Sequence, residues 1–174
     1  MASGDSLCFF TPAMGQPPDA DFATFDTILT ASADEPDHSM LVLDFDPGST
    51  EEYIYFTGFM PRHYGAGGLT VTIGWSSDAT SGVCRWAAAF KSVTDDADDL
   101  DSKAFAAPNT VDATTASAAG EVDYAEVTFT DGADMDSVAA GEMFVLELSR
   151  NSSHANDTLN SNDAELHFIE IQET

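Results

Sequence analysis

The sequence predicts an all-β fold, a jelly-roll β-sandwich of about eight antiparallel strands with an extended N-terminal arm. Apolar and polar residues alternate with a period of two through most of the chain after residue 38, which is typical of half-buried strands. Glycine-containing turns separate these stretches, and no stretch has the length and periodicity of an amphipathic helix. Many short strands without helices are typical of sandwiches, jelly rolls and barrels, and the long connections favour the jelly roll.

The alternating stretches predict the strands in chain order. Their bounds are Ser39–Asp46, Glu52–Phe59, Gly68–Ser76, Val83–Lys91, Glu121–Thr130, Glu142–Arg150 and Ala164–Gln172, with a weaker strand near Thr110–Ala116. In the third strand Leu69, Val71 and Ile73 share one face, because successive side chains of a strand point to opposite sides. A slip in the alternation near Ala125 predicts a β-bulge, and Asp134–Ala140 predicts at most one short turn of helix.

Residues 1–37 differ in composition from the remainder of the chain. They contain four prolines and seven acidic residues but no lysine or arginine. Proline disfavours helices and central strands, yet the many large apolar side chains argue against a disordered tail. We therefore expect an extended arm, residues 1–37, lying in a groove of this subunit or of a neighbour, and a sandwich domain, residues 38–174. The candidate partner-binding residues of the arm are Phe9, Phe10, Phe22 and Phe25.

The charge of the chain excludes several classes of partner. The 174 residues include 31 acidic and five basic side chains, which gives a formal net charge of −26. Such a surface repels phosphate backbones and anionic lipids, so we expect neither nucleic-acid nor membrane binding. The first residues lack the positive segment of a secretory signal, and we expect a soluble protein made in a cytoplasm.

The densest acidic cluster lies at Asp95–Asp101 and contains five aspartates. Calcium takes six to eight oxygen ligands, which alternating aspartates can supply in part. Leu100 interrupts the cluster, and the glycine and terminal glutamate of an EF-hand loop are missing. A solvated loop is therefore the favoured interpretation, calcium remains an alternative, and no other cofactor is expected. Cys8 and Cys84 are expected to be free thiols, although the sequence does not exclude that they pair.

No pattern of residues predicts catalysis. None of the four histidines lies in a Gly-x-Ser-x-Gly or His-Glu-x-x-His motif, and no phosphate-binding glycine loop precedes a helix. We therefore expect no catalytic residues and no enzymatic activity. Trp75 and Trp86 are in phase with core positions, so they are expected in the core rather than on a sugar-stacking platform with the tyrosines. Tyr64 and Arg62 are the better surface candidates, because Tyr and Arg are common anchors of protein interfaces.

Four segments resemble a known family of viral proteins. They are Met60–Tyr64, Gly67–Trp75, Ala79–Gly82 leading into Trp86, and Phe129–Ser137. In order and spacing they resemble small jelly-roll head decoration (cement) proteins of tailed bacteriophages. The resemblance covers roughly residues 40–174 and does not include the arm.

The resemblance implies a structural component of the virion. It implies a homotrimer, made in the host cytoplasm, that sits on the capsid exterior and stabilises contacts between subunits of the major capsid protein. The same fold occurs in tail fibres and tail tips, so the alternative is a tail-tip, fibre or head-surface module that binds carbohydrate. The family provides no site residues to transfer to this chain.

Overall fold

The computed structural model describes residues 4–30, 37–48, 50–159 and 161–174. Within these residues the chain forms ten strands and two short 3-10 turns, Pro12–Met14 and Ala133–Met135. The strands are β1 (Ser6–Phe10), β2 (Thr24–Thr30), β3 (His38–Phe45), β4 (Glu51–Phe59), β5 (Leu69–Ser76), β6 (Val83–Val93), β7 (Asn109–Thr114), β8 (Asp123–Phe129), β9 (Met143–Asn151) and β10 (Ala164–Glu173). No helix in this part of the chain is long and apolar enough to cross a membrane.

The strands form two antiparallel sheets that enclose one core. The six-stranded sheet has the order β2-β3-β10-β5-β8, with β1 also paired to β10. The four-stranded sheet has the order β4-β9-β6-β7. This arrangement confirms the predicted all-β antiparallel sandwich, although with two more strands than the eight expected.

The core consists of the inward-facing side chains of both sheets. Leu69, Val71 and Ile73 of β5 are fully buried, as their alternation predicts. Trp75 and Trp86 meet across the sandwich with ring centroids 5.9 Å apart, and both are buried. Burying a side chain of this size contributes roughly 1.5–3 kcal/mol or more relative to leaving it exposed. Both tryptophans therefore belong to the core and not to a surface platform.

Eight of the ten strands, β3–β10, correspond to the predicted stretches, with ends that differ by about two residues or less. The other two strands lie in the segment expected to be an arm. There β1 pairs with β10, placing Phe10 opposite Ile169, and β2 pairs with β3. Residues between them follow the open edge of β4, where the backbone of Gln16 exchanges hydrogen bonds of 2.8 and 3.0 Å with Tyr55.

The arm is extended, as predicted, and its described residues lie against this subunit's own sheets. Covering the edge of β4 removes unpaired backbone groups that would otherwise attract another strand. Phe10 lies in the core at 3% exposure and packs against Phe56 with the rings tilted and their centroids 5.4 Å apart. The division of the chain at residue 37 and the contact of the arm with a partner stay predictions.

The predicted bulge at Ala125 is wrong. β8 pairs with β5 without a register shift, and the inward positions Ala125 and Val127 alternate with the outward Tyr124, which is 63% exposed. The apparent slip arose because Tyr124 was taken as an inward residue. A register shift occurs instead in β10, between Leu166 and Phe168.

Cys8 and Cys84 are free thiols, as expected. Burial raises the pKa of Cys8 to about 11 and holds that of Cys84 well above its usual value. Both thiols are therefore protonated at neutral pH, and neither is activated as a nucleophile.

Candidate functional site

The partner-binding residues predicted from the sequence do not form one site. Phe9, Phe22 and Phe25 are exposed at 53%, 40% and 47%, whereas Phe10 is in the core. Tyr64 is only 5% exposed, so its prediction as a surface residue is wrong.

Tyr64 is buried because the chain turns back over it. Its hydroxyl donates a hydrogen bond to the carbonyl of Gly67 and lies 3.8 Å from the sulfur of Met135. Burial raises the pKa of Tyr64 to about 12. Arg62, two residues earlier, is exposed as predicted.

The outer face of the four-stranded sheet carries the aromatic and polar side chains that alternate, along each strand, with the inward-facing core residues. Three cross-strand rows follow one another along this face, and their pairing brings distant residues together. The rows are Tyr55–Glu147–Ala89, Thr57–Val145–Lys91 and Phe59–Met143–Val93.

A cleft of about 390 Å³ lies over the first two rows. Its walls are Gln16, Pro17, Tyr55, Lys91, Phe105 and Val145. The ring of Phe105 stacks on Tyr55 with centroids 5.6 Å apart and an interplanar angle of 23°. Lys91 Nζ lies 4.8 Å from the centroid of Phe105. Since Tyr55 is on β4 and Lys91 on β6, the Phe105 side chain reaches across the intervening strand β9.

Tyr55 and Glu147 are cross-strand neighbours in this cleft, so each side chain influences the ionisation of the other. Burial raises the pKa of Glu147, and burial together with the charge of Glu147 raises the pKa of Tyr55. The Tyr55 hydroxyl therefore remains protonated at neutral pH. Gln16 Oε1 accepts a hydrogen bond of 3.3 Å from the Thr57 hydroxyl.

A second cleft of about 490 Å³ lies over the third row. Its walls are Phe59, Arg62, Val93, Thr94, Asp95, Gly141, Glu142 and Met143. Phe59 is 52% exposed, and the guanidinium carbon of Arg62 lies 5.9 Å from its ring centroid. The two clefts occupy adjacent rows of one face, and we call them together the aromatic groove. Its defining residues are Tyr55, Phe59, Arg62, Lys91 and Phe105.

The two cations of the aromatic groove differ from the other basic residues in their partners. The other three basic residues form ion pairs, Arg85 with Asp112, Lys103 with Asp98 and Asp136, and Arg150 with Asp157. In the described part of the chain Arg62 and Lys91 have no ion pair within 4.0 Å. In a chain of net charge −26, these two cations therefore keep N–H donors outside any ion pair, Arg62 beside the exposed ring of Phe59 and Lys91 beside the half-buried ring of Phe105.

Sequence reasoning found only part of this groove. The alternation of β4 places Tyr55 and Phe59 on the outer face, a signal that the sequence contains. Phe105 lies in the irregular segment between β6 and β7, where no periodicity predicts its direction. The alternation of Lys91 with Phe90 predicts that Lys91 lies on the outer face. It does not predict that Lys91 lies beside Phe105.

One serine and one histidine form a close pair outside the groove. Ser76 Oγ lies 2.8 Å from His167 Nε2 and donates a hydrogen bond of 2.7 Å to Glu165. Ser76 is 2% exposed, and His167 Nδ1 has no partner within the described residues. A nucleophilic serine needs an accessible hydroxyl and an oriented base. The hydroxyl of Ser76 is instead a buried bridge between β5 and β10.

The acidic loop at Asp95–Asp101 is partly neutralised by a lysine. Lys103 Nζ lies 2.8 Å from Asp98 and 3.2 Å from Asp136, and donates to the Ser92 hydroxyl at 2.8 Å. The described residues contain no group of three or more histidine, cysteine or acidic side chains arranged to hold a metal ion. Calcium binding at this loop stays an untested alternative.

The fold is similar to that of solved carbohydrate-binding modules. The CBM22-1 xylan-binding domain from Paenibacillus barcinonensis Xyn10C superposes with a TM-score of 0.50 at 8% sequence identity, covering 99% of this chain and 97% of that domain. A family 35 carbohydrate binding module from Clostridium thermocellum superposes with a TM-score of 0.53 at 8% identity, covering 98% of this chain and 100% of that module. No protein-family model and no curated protein matches the chain. At this identity the likeness shows a common jelly-roll sandwich fold that extends over nearly the whole chain.

Proposed function

We propose that this chain is a non-catalytic carbohydrate-binding module whose aromatic groove binds a glycan chain. The supporting observation is the groove itself, in which the exposed ring of Phe59, the half-buried rings of Tyr55 and Phe105 and two cations outside any ion pair line one face. Sugars present apolar C–H faces and a rim of hydroxyl groups. The rings of Tyr55, Phe105 and Phe59 can pack against the C–H faces of a sugar. Lys91 and Arg62 can donate hydrogen bonds to its hydroxyl groups.

The length of the groove favours a chain over a single sugar. Tyr55 and Phe59 are four residues apart on β4, which corresponds to about 13 Å along a strand. Both clefts open on the same face, and an extended ligand can contact the rings of both. A xylan-binding domain with the same fold supports this class of ligand.

The charge of the protein favours a neutral glycan. A net charge of −26 repels polyanions at long range. The two groove cations lie next to Glu142, Asp95 and Glu147, so the groove is not a positive surface. We therefore propose uncharged polysaccharides such as xylan as ligands, in preference to uronate-containing or sulfated ones.

Affinity electrophoresis in gels containing neutral polysaccharides, followed by calorimetry with soluble oligosaccharides, tests this proposal. Tyr55→Ala and Phe105→Ala are expected to weaken binding by about tenfold or more, since truncating an aromatic anchor commonly costs 2 kcal/mol or above. Tyr124→Ala is the matched control, because this ring is exposed on the opposite face. Equal binding by all three variants and the unmodified chain would remove the groove as the site, and no binding to a broad glycan panel would remove the function.

A place on a phage particle stays a separate proposal that rests on the resemblance of the sequence to head decoration proteins. A carbohydrate-binding module on a phage head or tail is compatible with the groove. Imaging of purified virions with a labelled chain tests the location. Absence of the chain from every virion component would contradict it and leave glycan binding untouched.

A further inference from the structure

The outer face of the six-stranded sheet carries an aromatic cluster that belongs neither to the core nor to the aromatic groove. Phe168 stacks on Phe9 with ring centroids 5.4 Å apart and meets Tyr124 edge-on, also at 5.4 Å. Phe9 and Tyr124 are 53% and 63% exposed. The ring of Phe168 lies over β5, so close that a Cβ on Gly74 would be 2.2 Å from it. We call Phe9, Phe168 and Tyr124 the aromatic patch.

Two rings of the aromatic patch are each followed, two residues later, by a glutamate on the same face of the same strand. β8 carries Tyr124 and Glu126, and β10 carries Phe168 and Glu170. Both strands pair with β5, and their registers place the two rings in one cross-strand row and the two glutamates in the next. The two ring–carboxylate pairs are therefore aligned side by side. They lie about 10 Å apart across β5, with about 7 Å between the two rows along each strand.

The basic side chains of the protein lie on the other side of the sandwich. All five are on strands of the four-stranded sheet or contact one of them; they are Arg62, Arg85, Lys91, Lys103 and Arg150. Within the described residues, the glutamates beside the aromatic patch have no ion pair within 4.0 Å. The outer face of the six-stranded sheet is thus aromatic and anionic, without a cation to balance its carboxylates.

Crowding of carboxylates on this face is visible at Asp44, which pairs with Glu165 of β10. Burial, followed by the charges of Glu165, Asp26 and Asp163, raises the pKa of Asp44 to about 7. These like charges repel one another, and a cation supplied from outside the chain would relieve the repulsion.

We propose that the aromatic patch and its flanking carboxylates bind an arginine-rich segment of another protein. A guanidinium group is planar and always charged, so it can stack on an aromatic ring while it donates hydrogen bonds to a neighbouring carboxylate. The two aligned ring–carboxylate pairs offer two such positions. The net charge of −26 attracts a basic segment at long range.

The same face is less suited to a cationic glycan. An amino sugar presents hydroxyl groups as well as its ammonium group, and the hydroxyl groups need polar partners. Thr72 lies between Glu170 and Glu126 in the carboxylate row, but it is only 7% exposed. The ammonium group is also a point charge without a planar face to stack on the rings.

The size of the aromatic patch sets the expected strength of binding. A half-exposed aromatic ring offers about 100 Å², so the three rings together offer about 300 Å². Contacts well below about 1,200 Å² in total are typical of transient partners. We therefore expect a dissociation constant on the order of micromolar, with fast exchange between bound and free chains.

Fluorescence anisotropy with labelled oligoarginine and oligolysine peptides of equal length tests the proposal. At about 0.15 M salt, charges further apart than about 8 Å are screened, which limits attraction by the remaining carboxylates. The oligoarginine peptide is expected to bind several-fold more tightly than the oligolysine peptide, because only guanidinium groups stack on the rings. The variant Phe9→Ser with Tyr124→Ser is expected to weaken oligoarginine binding about tenfold or more.

Charge-matched variants separate the aromatic patch from the net charge of the protein. Glu126→Gln with Glu170→Gln removes two charges beside the rings and is expected to weaken oligoarginine binding about tenfold. Asp96→Asn with Asp101→Asn removes two exposed charges from the segment between β6 and β7 and is expected to change it less than about twofold. Equal losses in these two variants, or equal affinity for the two peptides, would overturn the proposal.

Amide chemical shifts of the unmodified chain give a measurement that does not depend on the variants folding. Oligoarginine is expected to shift the amide signals of β1, β8 and β10 and to leave those of β4 unchanged. Shifts spread evenly over both sheets would overturn the proposal. So would binding of a deacetylated glucosamine oligomer at the aromatic patch without binding of oligoarginine, which would assign this face to a cationic glycan. The aromatic groove is on the other sheet, so binding of a neutral glycan can fail or succeed independently.

Discussion

Arg150 and Asp157 form a buried ion pair, with Nε 3.0 Å from Oδ2 and both side chains 1% exposed. The guanidinium group also donates to the carbonyls of Phe45, Leu159 and Asn162 at 2.8, 2.8 and 3.1 Å. The buried guanidinium group thus has an acceptor for its Nε, Nη1 and Nη2 donors. Through these hydrogen bonds Arg150 connects the loop between β9 and β10 to the end of β3.

Replacing Arg150 by methionine is expected to lower the free energy of unfolding by about 3–5 kcal/mol, because Asp157 would remain buried without its cation. Urea denaturation followed by tryptophan fluorescence measures this change. The control is Arg85→Met, which breaks the more exposed pair with Asp112 and is expected to cost about 1 kcal/mol or less. Similar losses in the two variants would contradict the structural role of the buried pair.

The stability of the protein is expected to fall as the pH rises from about 4 to about 7. Burial, followed by the charges of Glu165, Asp26 and Asp163, raises the pKa of Asp44 from 3.8 to about 7. The folded state therefore holds a proton that the unfolded chain releases within this window, and folding becomes less favourable as that proton is lost.

Asp44→Asn is expected to reduce this pH dependence, with a difference from the unmodified chain on the order of 1 kcal/mol after solvent screening. Urea midpoints at several pH values between 4 and 7 measure it. Asp98→Asn is the control, because hydrogen bonding to Lys103 lowers the pKa of Asp98 instead. If the urea midpoint of Asp44→Asn depended on pH as it does in the unmodified chain, the raised pKa of Asp44 would be contradicted.

Gly74→Ala is expected to displace the ring of Phe168 at a small cost in stability. The added methyl group would lie 2.2 Å from the Phe168 ring, which must swing outward. A half-exposed ring can move, so the cost is about 1 kcal/mol rather than that of a rigid overpacked core. Thermal unfolding measures this cost, and Gly48→Ala, which meets nothing closer than 4.0 Å, serves as control. An unfolding temperature equal to that of the unmodified chain would contradict the close contact between position 74 and the ring of Phe168.

Lys91→Met is expected to weaken glycan binding several-fold without altering stability. The substitution removes one hydrogen-bond donor from the groove, and such a bond contributes about 0.5–1.5 kcal/mol. Calorimetry with the oligosaccharide found for the unmodified chain measures the loss. Lys103→Met, which removes a cation already paired with Asp98, is expected to leave affinity unchanged and stability reduced. A larger loss of glycan affinity in Lys103→Met than in Lys91→Met would indicate that the ligand binds outside the groove.

Sequence reasoning located the strands of the sandwich better than the residues of the site. The pattern of β5 is local, because the alternation of Leu69, Val71 and Ile73 requires no knowledge of other strands. Tyr64 shows where local reasoning fails. It lies in a loop, and its burial depends on Met135, which is 71 residues away.

The groove shows the same limit. Tyr55 and Phe105 are stacked only because the segment between β6 and β7 crosses the sheet, and no periodicity in that segment predicts the crossing. Similarly, the prolines of residues 1–37 predicted an extended segment, and the described part, residues 4–30, is extended for most of its length. They did not predict that β1 would pair with β10, since that choice depends on an edge created at the opposite end of the chain.

The sequence alone therefore determined the all-β class and most of the strands, because alternation is a property of the chain itself. Tertiary structure decided which outward residues meet, as with Lys91 and Phe105 in the groove and Phe9 and Phe168 on the opposite sheet. Those contacts follow from strand order and register, which are set by packing the whole core at once.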